Sequence, residues 1–583
     1  MQTERAPRSR ADSLDLRPRW IWLKAPALLV FLATPVGAVI RPGDSLAQCL
    51  RDFQSRGMTL IWSSQLVRDD LVVPSAPRGD TMEQQLRSLL EPLGLDLQPL
   101  GGRSWVVVER SGAGARAPEA PTPVRALDTI VVQTSRYQFD RISTDALSLS
   151  RVQIEELPGT EEDVARSLQS LPGTAAGDYS ARTHVRGSRD DETVFRFDGV
   201  TLYDPFHLKN FQGLFSAIDP AAIESVRFWT GDFPIELGGS IGAVAEIAPR
   251  QPTRLLAEAG LSVLNTSLLL GSPFADGRGS VLVSARNSNL SYMAQLFDRN
   301  IGDPDFRDII MRVTWDINDR VHLSAGALGL EDAVSLSMQD PVQQAFASYQ
   351  DHYIWTRLSY PLGGDLPGET LVSGAGLRAR RSAAVDRPGI NQGSLPDSRD
   401  SSVFTLRPDL HAAISPRLPL RGGAEFTHAS TLADIDSLAS FDAPFFPGVQ
   451  PVQNVRQDLD VPARYHTLAA HVAVRWEARN TDVLEAGIRR DSQHFQDENE
   501  RSQWNVRMNW WHRFNDDLTV RAAWGQYAQP QILSRLDVAD GFSELDSARR
   551  ARQTSLSLEK RFGRNWLLRL GAYDKHESSS RTS

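Results

Sequence analysis

Met311-Arg312-Val313-Thr314-Trp315-Asp316-Ile317 alternates apolar and polar side chains without a break. Successive side chains of an extended chain point to opposite faces, so this stretch reads as a strand with one apolar and one polar face. The design recurs at Leu468, Ala470, Val472, Val474 and Trp476, set against Thr467, Ala469, His471, Ala473 and Arg475. It returns at Trp504, Val506, Met508 and Trp510, and again at Leu518, Val520, Ala522 and Trp524. From Thr253 onward this two-residue period replaces the helical one, and about fourteen strands can be marked before Tyr573. Two architectures fit the pattern. One is a barrel with lipid outside, water inside and tryptophan girdles; the other is a soluble β-sandwich.

Composition narrows the choice. A chain of 583 residues can form several domains, and 41% apolar with 23% charged residues excludes a disordered one. A mean hydropathy of -0.31 argues against a helical membrane protein. A net charge of -9 and a pI of 5.7 give no basic stripe for nucleic acid. The single cysteine, Cys49, excludes an internal disulfide framework and a cysteine metal cage.

The one long apolar run, Ala25 to Ile40, follows Arg17, Arg19 and Lys24 and ends in Val36-Gly37-Ala38. It reads as a secretory signal peptide over residues 1–38, with a retained anchor as the alternative. Leu46-Ala47-Gln48-Cys49 resembles a lipoprotein cleavage site. The polar Arg41-Pro42-Gly43-Asp44 before it breaks that pattern, and Cys49 reads as a small buried residue on a helix.

Residues 41–110 carry a small α/β pattern. Ser45 caps a helix bearing Leu46, Cys49, Leu50 and Phe53, and Met58 to Trp62 reads as a strand. A second helix after Asp80 places Met82, Leu86, Leu89 and Leu90 on one face, and a hairpin spans Leu95 to Val108 around Gly101-Gly102. In this order, and in Asp44-Ser45-Leu46-Ala47-Gln48 and Gly94-Leu95-Asp96-Leu97, the segment resembles the secretin and TonB N-terminal (STN) domain. Residues 111–127, rich in Ala, Pro and Gly, form a semi-extended linker.

Residues 128–136 open with Asp128-Thr129-Ile130-Val131-Val132, an extended, β-prone peptide offered from that tether. It resembles a TonB box, which a partner reads by strand addition; an ordinary first strand of the next domain is the bland alternative. Residues 137–252 read as a second α/β domain. A short helix is expected over Glu161 to Leu171, a strand over Thr193 to Phe197, and a helix after Asp219-Pro220. Leu171-Pro172-Gly173, Arg186-Gly187, Phe197-Asp198-Gly199-Val200, Ile223-Glu224-Ser225-Val226 and Gly238-Gly239-Ser240-Ile241-Gly242-Ala243-Val244 occur here in that order. In these motifs the chain is similar to the plug domain of TonB-dependent outer-membrane receptors.

The resemblance implies a multi-domain receptor: STN domain, plug, and an antiparallel transmembrane barrel over residues 253–583. Its implied partners are TonB at Asp128 to Val132, an anti-sigma regulator at the STN domain, and a ferric siderophore or another nutrient such as a carbohydrate. A secretin-type secretion component and a remnant without transport remain as alternatives. The chain ends Ser578-Ser579-Ser580-Arg581-Thr582-Ser583, without a terminal aromatic, and fourteen strands fall short of the about 22 of plugged transporters, so the barrel is expected to be incomplete. No catalytic residue, metal site or cofactor is expected. Gly238-Gly239-Ser240-Ile241-Gly242 fits a nucleophile elbow in letters only, because a strand follows it where that motif needs a helix. His184 and His207 read as residues of the plug surface or apex.

Overall fold

The computed structural model describes residues 43–109, 138–139 and 146–578, apart from 56–57, 62–66, 68–70, 80, 102–103, 161–162, 178, 298–301, 340–341, 364–365, 388–390, 442–454, 496–500, 533–546 and 564–565. The signal-peptide run, the linker and Asp128 to Val132 lie outside the described residues. Two compact units are present, residues 1–130 and 131–583.

In the first unit the helix Leu46–Ser55 buries Leu46, Cys49, Leu50 and Phe53, the four residues that share its apolar stripe. The helix Met82–Leu90 is capped by Thr81, whose hydroxyl accepts from the Gln84 amide, and it buries Leu86, Leu89 and Leu90. Met82 is exposed rather than packed with them, because it sits in the first turn at the edge of the core. Both helices cover a three-stranded sheet. Its central strand, Ser104–Glu109, runs parallel to Thr59–Ile61 and antiparallel to Leu95–Gly101.

The second unit opens with an inner α/β domain. Its main sheet orders Gln138–Phe139, Leu147–Ser150, Ile223–Trp229, Ala243–Pro249, Thr193–Phe197 and Val200–Leu202. Only Ala243–Pro249 and Thr193–Phe197 pair in parallel. Asp198 and Gly199 both take positive φ, +49° and +85°, and form the two-residue turn between Thr193–Phe197 and Val200–Leu202. Asp-Gly is the dipeptide such a turn favours. Two helices are shorter than their sequences suggest. Val164–Leu168 starts only where the Asp163 carboxylate accepts from the Ala165 and Arg166 amides. Asp219-Pro220 begins a single 3-10 turn, Pro220–Ala222, because Ile223 already enters the strand Ile223–Trp229. An additional helix, Arg151–Glu156, is closed by a Ser150/Gln153 capping box.

Around this domain runs one antiparallel sheet of fifteen strands, from Leu256–Leu261 to Trp566–Ser578. Each strand pairs with its chain neighbours, and no pairing joins the first strand to the last among the described residues. The sheet is open along those two edges, as an incomplete barrel.

The two faces of this sheet decide between the architectures left open by sequence. In Asp303–Asn318, Asp308 and Arg312 are buried against His207 and Asp198 of the inner domain and Thr314 is buried beside Ser280, while Ile309, Met311, Val313 and Trp315 stand exposed. In Arg501–Asn515, Asn505, Arg507 and Asn509 are buried while Trp504 and Met508 are exposed. A soluble sandwich would bury the opposite set. The polar face is inside and the apolar face is outside, which is the arrangement of a sheet solvated by lipid.

Candidate functional site

The inner domain meets the sheet through buried charges, and the turn residue Asp198 is the clearest case. Its carboxylate is 2.9 Å from Arg312 Nε and 2.9 Å from Arg357 Nη2, and accepts from Ser324 Oγ at 2.8 Å and Trp355 Nε1 at 3.0 Å. Burial works to raise its pKa, but Arg357 and Arg312 outweigh burial and hold it below the ordinary carboxylate value. A Cβ on Gly199 beside it would come within 3.1 Å of Arg407 Nη2, so that guanidinium would have to give way.

His207 is not a surface residue. It is buried, with Nδ1 2.9 Å from Asp332 Oδ1 and Nε2 3.1 Å from Asp308 Oδ2, and its ring stacks on Phe306 at 4.3 Å. Both ring nitrogens face carboxylate oxygens, so the doubly protonated imidazolium is the form these neighbours favour. Burial opposes that charge, but the carboxylates, Asp332 foremost, raise the pKa above its ordinary value. Two residues on, Lys209 Nζ reaches Asp351 Oδ2 at 2.7 Å. His184, by contrast, is exposed.

Three further contacts hold the other flank. Glu192 is buried between Arg549 Nη1 at 2.8 Å and Lys575 Nζ at 3.4 Å. Asp232 pairs with Arg186 at 3.2 Å and accepts from Ser555. Arg507 lies between the rings of Phe233 and Tyr527, 4.5 and 4.4 Å from their centroids, and donates to the carbonyls of Phe233, Pro234 and Leu237. Such pairs add little net stability over a well-packed apolar contact, yet removing one partner strands the other in a dry site. Their effect is to fix where the inner domain sits.

Toward the short strand-to-strand turns of the sheet, such as those joining Asn391–Ser415 to Leu418–Phe441 and Val455–Arg479 to Asp482–Phe495, a cavity of ≈ 250 Å³ separates the two, lined by Arg196, Glu236, Asp409, Arg421 and His471 among others. Arg421 spans Glu236 and Glu485 across it. Arg196 Nε, Glu236 Oε2 and His471 Nδ1 find no partner among the described residues. Burial, then Arg407, lowers the Arg196 guanidinium to about 10. Unmatched donors and acceptors around a roomy polar hole are the setting for ordered water.

Ser240 of the Gly-rich motif has no nucleophile's surroundings. Its hydroxyl is fully buried, 2.8 Å from Glu192 O and 2.9 Å from Ala243 O, and accepts from the Gly242 amide. Gly242 is needed there because a Cβ would meet Glu192 O at 2.8 Å. Among the described residues no group of His, Cys, Asp and Glu is disposed to hold a metal.

Residues 141–244 match the family model described as the TonB-dependent receptor plug domain. A search of curated proteins returns no match. Among solved structures the chain is similar to FpvA of Pseudomonas aeruginosa bound to heterologous pyoverdines, with a TM-score of 0.52 and 12% identity over 92% of this chain and 76% of that one. That share exceeds what residues 131–583 alone supply, so the match extends into the first unit. It is also similar to the siderophore receptor PiuA of Acinetobacter baumannii, with a TM-score of 0.53 and 12% identity over 74% and 72% of the two chains. The ferric citrate transporter FecA in its unliganded form gives a TM-score of 0.51 and 12% identity over 75% and 71%. The chain carries a TonB-dependent receptor plug domain and has the fold of a TonB-dependent receptor.

Proposed function

We propose that the chain is an outer-membrane receptor that takes up a scarce ligand, most readily a ferric siderophore, with energy delivered by TonB at Asp128 to Val132. The observation that carries this reading is the inverted sheet, with its apolar face outward and its charged face closed on the plug. Trp315, Trp476, Phe514, Phe562 and Trp566 stand exposed close to the short turns, as an interfacial girdle would. Trp504 and Phe514 lie ten residues apart on one strand and are both exposed. At about 3.4 Å per residue and a tilt of about 40° that separation gives roughly 26 Å of height, the thickness of a barrel's apolar band. Strands of up to 25 residues continue past it at the end where the longer connections lie, which we take as the extracellular side.

Ligand bound there would reach the plug from above, and the plug's buried ion pairs would have to part for it to pass. The first unit, with its own core, would report occupancy to an inner-membrane anti-sigma regulator. The test is accumulation of iron-55 siderophores by cells carrying the chain as their sole receptor, with and without TonB. Uptake that needs both the chain and TonB is expected. Uptake indifferent to TonB, or no insertion into the outer membrane, would refute the proposal.

A further inference from the structure

Between the strands Ile223–Trp229 and Ala243–Pro249 the inner domain carries an irregular segment, Phe233-Pro234-Ile235-Glu236-Leu237-Gly238. Among the described residues its backbone pairs only with itself, from the Leu237 amide to the Pro234 carbonyl and from the Gly238 amide to the Glu236 carbonyl. Arginines of the surrounding sheet supply further partners. Arg507 donates to the carbonyls of Phe233, Pro234 and Leu237, and Arg489 to that of Glu236. Arg421 holds the Glu236 carboxylate. Gly231 and Asp232 precede the segment with φ of +148° and +57°, and Gly239 follows it with φ of +80°. The segment can therefore leave its place without unpairing any strand of the inner domain.

It lies between two cavities. Below it, toward the short turns, is the cavity of ≈ 250 Å³, which Pro234, Glu236 and Leu237 help to line. Above it, toward the long connections, a smaller one of ≈ 90 Å³ is lined by Gly239 with Glu425, Arg489, Asp491 and Arg501 among others. Arg489 belongs to the upper wall and reaches the Glu236 carbonyl. Apolar packing holds the segment between them. Phe233, Ile235 and Leu237 are buried, and Phe233 and Leu237 share a cluster with Ala146, Trp229, Tyr527 and Ala551. Ala146 directly precedes Leu147–Ser150, whose first residue pairs with Phe228. Chain order makes Gln138–Phe139 and then Ala146 the first described residues that traction on Asp128 to Val132 would reach.

We propose that Phe233 to Gly238 is a latch across the ligand's route, released when traction on Asp128 to Val132 draws Ala146 out of its cluster, and that release joins the two cavities along the wall of Leu418–Phe441, Val455–Arg479 and Asp482–Phe495. The proposal rests on the reading that a partner pulls on Asp128 to Val132. Leu147–Ser150 is held to Ile223–Trp229 by four residue pairs, whereas Ile223–Trp229 is held to Ala243–Pro249 by six. Traction thus strips the shorter ladder first and leaves standing the strands that flank the segment. Withdrawing Ala146 opens a void beside Phe233 and Leu237, and a void forfeits the contacts that held them. The carbonyls then exchange their arginine partners for water at little net cost.

The latch is tested on the full chain carrying C49A, held in detergent micelles with one introduced cysteine whose reaction with a disulfide reagent is timed. L237C reports on the segment, and A222C, equally buried in the turn Pro220–Ala222, reports on the rest of the inner domain. A146R forces a long charged side chain out of the cluster. It should quicken L237C about tenfold, as for a local opening, and leave A222C unchanged. An unchanged L237C rate overturns the proposal. Where A146R quickens both positions, R507Q decides, because it frees the carbonyls from the sheet side; no gain there, or an equal gain at both positions, overturns the latch. The route is tested in cells given, separately, the iron-55 complexes of a hydroxamate, a catecholate and citrate. A Cβ added at Gly487 would lie 2.9 Å from Ile235 Cβ, so a small parting lets I235C/G487C close a disulfide. The closed bond should reduce TonB-dependent accumulation to background, and dithiothreitol should restore it. Undiminished accumulation with the bond closed overturns the route. A wild-type chain that accumulates none of the three complexes counts against the receptor reading, while the thiol rates still decide the latch.

Discussion

His207 Nδ1 lies 2.9 Å from Asp332 Oδ1 across 125 residues of sequence, and the contact is made between plug and sheet. A raised imidazole pKa means the charged ring stabilises the assembled state fully below the ordinary value of about 6.5, and that this contribution is lost as pH rises through the folded value. Wild-type protein should therefore lose melting temperature on the alkaline side through a component that His207→Gln lacks. Identical alkaline slopes in the two proteins would show that the ring is not charged in place.

Asp198 answers two arginines and an indole at once. Asp198→Asn keeps the side chain's shape and tolerates the positive φ of the turn, but strands Arg312 and Arg357. A loss of about 3–5 kcal/mol in unfolding free energy is expected, as for breaking any buried pair from one side. Denaturant titration would measure it, and a loss under about 1 kcal/mol would mean that water reaches the site.

Met311 lies mid-band on the outward face. Met311→Lys should cost about 2–4 kcal/mol of stability in bilayers, the usual penalty for a charge on a barrel's lipid side. The same exposed substitution on a soluble sandwich would be nearly neutral. Refolding into vesicles distinguishes the two.

Ile130→Pro tests the proposed strand addition. Proline removes a donor from the ladder a partner would build, so energised uptake should fall to background while ligand binding persists. Full uptake by this variant would remove Asp128 to Val132 from the mechanism.

Deleting residues 41–110 should silence ligand-dependent transcription and spare uptake, because that unit has a core of its own. Joint loss of both responses in a correctly inserted deletion protein would count against a signalling role.

Much of the fold could be read directly. The alternation around Met311 and Trp315 specified strands, Phe197-Asp198-Gly199-Val200 specified a tight hairpin, and Leu46, Cys49, Leu50 and Phe53 specified a helix face. The plug–sheet contacts could not be read, because Asp308, Arg312 and His207 have the look of solvent-facing residues. Only the inversion of the sheet buries them, and their partners lie more than a hundred residues away. A weak signal was present in the polar faces of the strands, which carry Asp, Arg and Asn where a hydrated surface would more often carry Lys and Glu. Asp219-Pro220 misled for a local reason: one capped turn satisfies the same residues as a helix start.

The alternation that turns this sheet inside out has a consequence before folding begins. In Asp303–Asn318 each lipid-facing residue from Ile309 to Trp315 is separated from the next by one that faces the plug, so the strand becomes greasy only once it is pleated. A translocation machine that samples the chain in helical windows would average the two sets and find nothing worth retaining in an inner membrane. The strands can thus pass through one bilayer as cargo and become the wall of the next.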